Sequence, residues 1–95
     1  MPEPNPLSLA NSYLGLAADQ LLADDQGSAA ALFVGVECLE IQSQVSELGA
    51  EGALVVAVVS PSEALAVAAD LLDLDGRAQV STLAQQLRRL SLAVS

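Results

Sequence analysis

At 95 residues the chain has room for one domain, and it combines an apolar fraction of 53% with a formal charge of -9. It contains no histidine, no lysine and no tryptophan, and its one cysteine, Cys38, lies inside an apolar run. General acid–base, covalent and metal chemistry draws mostly on His, Lys and Cys, so the composition points away from an enzyme and implies no cofactor and no metal. Its acidity points away from direct nucleic-acid binding and from an anionic membrane surface, both of which recruit Lys and Arg.

Residues 1–5 read as a disordered lead and residues 6–95 as a single helical domain. Asn5-Pro6 has the chemistry of an N-cap followed by proline at the first helical position. Beyond it Ala10, Leu14, Ala17 and Leu21 recur at helical spacing, flanked by Leu9, Tyr13 and Leu16. Ser8, Asn11, Gly15 and Asp19 fall on another side. The spacing predicts a helix over 6–23, closed by the turn residues Asp24-Asp25-Gln26-Gly27.

A second helix carries two stripes. Ala30, Val34, Cys38, Ile41, Val45 and Leu48 make the apolar one, and Glu37, Glu40, Gln44 and Glu47 the polar one, which reads as a solvated face. Ser28 is its candidate cap and Gly49 its candidate stop. Residues 50–59 follow with a run of valines. No convincing partner strand exists for them, so they are expected to form a short buried helix ending near Ser60.

Ser60-Pro61-Ser62-Glu63 is a capping box with serine at the cap, proline at N1 and glutamate at N3. It predicts a helix from Pro61, with Ala64, Leu65, Val67, Ala68, Leu71 and Leu72 on its apolar side. Asp75-Gly76 turns the chain into a last helix over about 77–92. That helix is expected to bury Val80, Leu83, Ala84, Leu87 and Leu90, with Arg88 and Arg89 outside near a C-terminus that favours cations. Leu14–Asp19 aligns with Leu65–Asp70, and each segment leads to a turn and another helix. The fold class is therefore all-α: a small antiparallel bundle of two helical hairpins, four main helices in all, plus the short buried segment 50–59. Only Phe33 and Tyr13 are aromatic, so its core must be built from small aliphatic side chains.

Motifs that would carry chemistry are sparse. Asp70, Asp73 and Asp75 are the densest acid group, but an EF-hand count from Asp70 places Asp75 where glycine belongs and Ser81 where glutamate belongs. Asp19, Asp24 and Glu37 are the carboxylates a small enzyme or ligand carrier would have to use. Cys38 sits on an apolar stripe without a histidine to activate it. Leu14-Gly15-x-Ala17 with Ala31-Leu32 and Cys38–Ile41 resembles one tetratricopeptide unit, though the turn is too long and the terminal proline is missing. Glu47–Leu54 is similar to the segment of acyl carrier proteins that holds the phosphopantetheine serine. Gly52 stands at the serine position, so such a carrier could not be loaded. Neither family is assigned.

The expected function is a non-enzymatic protein–protein interaction or assembly module that is self-associating or bound to a partner protein. Leu54, Val55, Val56, Val58 and Val59 are its candidate interface, because a helix apolar on every side must be covered on every side. Two other readings are a helical ligand carrier or carboxylate-only enzyme, and an acidic inhibitor that mimics nucleic acid. One cysteine, no basic leader and the shortness of the apolar run Gly52–Val59 against the ~20 residues of a membrane span suggest a cytoplasmic location.

Overall fold

A computed structural model describes residues 6–23, 29–49 and 59–94. Four α-helices account for most of them: α1 (Pro6–Ala23), α2 (Ala29–Glu47), α3 (Pro61–Asp73) and α4 (Ala78–Ala93). No strand occurs among the described residues. The expected lead at 1–5, the cap at Ser28, the turn at Asp24–Gly27 and the segment 50–58 lie outside them. Ser60 is irregular, as the residue before a proline should be, and so is Val59, which was expected as the last residue of the short helix.

The helix ends follow local chemistry. Ser60 is extended, and its side chain accepts the Glu63 backbone N–H at 3.2 Å with Pro61 in the first turn. The hydroxyl thereby satisfies one of the orphan donors of the helix N-terminus. Gly49 after α2 and Gly76 after α3 have φ of 121° and 81°, a region in which a side chain would be strained. α4 begins at Ala78 and runs to Ala93, so its last turn carries no base. The expected dipole role of Arg88 and Arg89 is replaced, for Arg88, by a different one: its guanidinium bridges to Asp73 and, at 3.1 Å, to Asp70 on α3.

Contacts along the chain fix the topology. Asn11 of α1 bonds Ser46, while Leu21 and Leu22 lie against Gly35, so α1 and α2 are antiparallel. Gln20, near the end of α1, donates to the Val59 carbonyl at 2.9 Å just before α3 starts. Ser62 at the start of α3 meets Ser91 near the end of α4, where Ser91 Oγ donates to the Ser62 carbonyl at 2.8 Å. α1 packs against both α2 and α3, α3 packs against α4, and a thinner α2–α4 seam closes the ring. The result is an all-α antiparallel bundle of two hairpins.

The core is aliphatic and rich in alanine. Leu14, Ala17, Ala18 and Leu21 of α1 are buried, and so are Leu65, Ala68, Ala69 and Leu72 of α3. These are the corresponding positions of the two aligned segments, so the first helices of both hairpins bury the same register and pack on each other. Alanine lets the backbones approach closely, which raises the number of dispersion contacts a core without large side chains can make. Val34, Cys38, Ile41 and Val45 supply the α2 layer, and Val80, Leu83, Ala84 and Leu87 the α4 layer. Two expectations change. Ala30, expected on the inner stripe, is exposed on the first turn of α2, and Ser8, on the other side of α1 from the apolar positions, is only 3% exposed. Asn11 and Gly15 likewise face α2, where Gln42 Nε2 donates to the Asn11 carbonyl at 3.2 Å.

Candidate interaction surface

The outward side of α2 is apolar over its N-terminal half. Leu32, Phe33, Val36 and Leu39 are 47%, 62%, 51% and 44% exposed. Their spacing of i, i+1, i+4 and i+7 places them together on two helical turns, roughly opposite Val34, Cys38, Ile41 and Val45. α2 therefore has two apolar stripes, one in the core and one facing out. Gly35 lies at the edge of the second, and without a side chain of its own it admits Leu22 of α1. Leu22, itself 39% exposed, extends the apolar surface onto α1. Single exposed apolar side chains are ordinary on a protein surface, whereas contiguous ones mark sites of interaction. Leu74 and Leu92, the other large exposed apolar residues among those described, lie at the α3–α4 turn and near the end of α4.

Acidic groups border this surface. Glu37 follows Phe33 by four residues, Glu40 follows Val36 by four, and Asp19 precedes Leu22 by three. Each therefore lies one turn along its helix from an apolar side chain. Neither α1 nor α2 contains a lysine or arginine. The cations all lie later in the chain. Arg77 pairs with Asp75 at 2.5 Å, and Arg88 spans Asp70 and Asp73. The Asp70–Asp73–Asp75 group is thus engaged by arginines of its own hairpin. The hydrogen bond from Arg77 holds the Asp75 carboxyl below the usual carboxylate range.

Other chemistry-bearing residues are dispersed. Asp19 is exposed on α1, Glu37 is half-buried on α2, and Asp24 lies outside the described residues. Cys38 is fully buried, and that burial, with the nearby Glu37 charge, pushes its thiol up to about 11 from the ordinary 9.0. The thiolate, the nucleophilic form, is therefore scarce at neutral pH. No group of three or more metal-ligating side chains occurs among the described residues. A cleft of about 210 Å³ opens between the end of α2 and the start of α4, lined by Gln44, Glu47, Leu48, Gln79 and Leu83.

Of the predicted interface, Leu54, Val55, Val56 and Val58 lie outside the described residues. Val59 is half-buried, packs against the core and is tied to Gln20 through its carbonyl. The outer stripe of α2 was missed from sequence because six apolar residues had already been assigned to the inner stripe. Its signal was the leftover set Leu32, Phe33, Val36 and Leu39, which repeats at the same period.

No helix among the described residues is long and apolar enough to cross a membrane. Comparison with known proteins finds no match to a family model, a curated protein or a solved structure.

Proposed function

We propose that this protein is a non-enzymatic interaction module that engages another protein surface through the outward face of α2. The observation that carries the reading is the contiguous exposure of Leu32, Phe33, Val36 and Leu39 on a helix whose opposite side already fills the core. Covering such a face releases water from apolar area at roughly 25 cal/mol per Å². An exposed helix side of this kind is suited to helix-to-helix docking. Cytoplasmic residence belongs to the same reading, since the single cysteine is buried and unpaired. The cleft beside Glu47 is lined by neither Asp19 nor Glu37, and Asp24, the third carboxylate of the ligand-carrier or carboxylate-enzyme reading, lies outside the described residues.

Affinity capture from the native host tests the reading, run in parallel with the wild type and a Phe33→Ser/Val36→Ser variant. Both substitutions are on the surface, so the variant should fold. A protein retained by the wild type and lost by the variant is the expected result. Equal retention by both, or turnover of small metabolites with no protein retained, would contradict it.

A further inference from the structure

We propose that the outward face of α2 binds an amphipathic helix of a different protein, one whose apolar stripe is flanked by Lys or Arg. The proposal rests on the reading above and adds the chemistry of the partner. Leu32 to Leu39 spans two turns, about 10 Å of helix, which suits the i, i+3 or i+4, and i+7 anchors of one docked helix.

Charge decides between occupants. Asp19, Glu37 and Glu40 border the face and none is buried. α1 and α2 offer no cation to balance them. Arg77 and Arg88 are held by Asp75, Asp70 and Asp73 on the other hairpin, and Arg89 is exposed on α4, outside the two helices that form the face. A second copy of the chain would bring the same face and the same acids. Under two-fold symmetry the carboxylates of both copies would converge on one apolar seam with no counter-charge, and like charges juxtaposed across an interface oppose association. A helix with Lys or Arg beside its apolar stripe would bury the leucines and place its cations opposite Glu37, Glu40 and Asp19. Steering by those charges should also make association salt-sensitive.

Two synthetic 18-residue helical peptides test this. They share one Leu/Ala stripe and one tryptophan, and differ only in flanking Lys or flanking Glu. Since the protein has no tryptophan, fluorescence of the peptide reports binding without background. The Lys-flanked peptide should bind at least tenfold more tightly than the Glu-flanked one. Phe33→Ser/Val36→Ser should weaken it at least tenfold, and Glu37→Gln/Glu40→Gln about threefold or more with a shallower salt dependence. Equal binding of both peptides, lost in the Phe33/Val36 variant, would overturn the basic partner while leaving the interaction reading intact. Binding of the Lys-flanked peptide that the Phe33/Val36 variant does not alter would reduce the effect to general charge attraction and overturn the site. If neither peptide bound and sedimentation showed a dimer that the Phe33/Val36 variant dissociates, a second copy would be the occupant. If neither peptide bound and the wild type stayed monomeric, the interaction reading would fall too.

Discussion

Leu22 of α1 occupies the space in front of Gly35 of α2: a Cβ built on Gly35 would lie 2.8 Å from Leu22 Cδ2 and 2.9 Å from Leu22 Cγ. The missing side chain at 35 makes room for the Leu22 side chain, which lies beside the outer stripe. Gly35→Val should therefore destabilise the fold by about 1–3 kcal/mol, the usual cost of overpacking, despite the gain in helix propensity over glycine. A urea melt that left the midpoint unchanged would show that the Leu22 side chain is not held in front of position 35.

Ser60→Ala removes the hydroxyl that accepts the Glu63 N–H. A loss of about 1 kcal/mol is expected, as for other N-cap deletions. Ser60→Asp should restore most of it. Equal melting of all three chains would mean that α3 does not begin at this cap.

Cys38 should resist alkylation in the native protein at pH 8 and react readily once the chain is unfolded in urea. Its folded thiol titrates near 11 against 9.0 when unperturbed. The folded state thus disfavours the thiolate. Its contribution to stability is fully present below pH 9 and is lost as pH rises from about 9 through 11, by up to about 3 kcal/mol over that window. A Cys38→Ala variant should lack this alkaline loss. Fast native alkylation at pH 8 would contradict the burial.

Asp75 should titrate at lower pH in the wild type than in Arg77→Gln, since the Arg77 side chain hydrogen-bonds its carboxylate. The pair's stabilisation is present above the unfolded carboxyl's range and is lost as pH falls through the folded value. Carboxyl NMR titration of both chains reads this directly. Identical curves would show that the pair is not formed in solution.

Local signals explain which parts of the fold were legible in sequence. Pro6, the Ser60–Glu63 cap, Gly49 and Gly76 each fix a backbone boundary within a few residues, and the helices begin or end where those residues require. The inner stripe of α2 was legible because Val34, Cys38, Ile41 and Val45 repeat at the helical period. Choosing between two apolar stripes on one helix depends on what packs against it, and periodicity holds no record of that. Gly35 reads as an ordinary helical glycine until Leu22 is placed beside it. Arg88 reads as a base near a helix end, because its acids lie in a different helix. Val59 is half-buried with its side chain against the core, and the other residues of the interface predicted from the valine run lie outside the described residues.

The outer stripe of α2 is proposed as the surface through which this protein meets other proteins. Methyl-resolved NMR of the wild type, with and without the Lys-flanked peptide, tests this most directly because the exposed Leu74 serves as an internal control. Shifts and line broadening are expected at Leu22, Leu32, Val36 and Leu39, with Leu74 unaffected. Perturbation centred on Leu74 or Leu92, with the α2 methyls silent, would contradict the proposal.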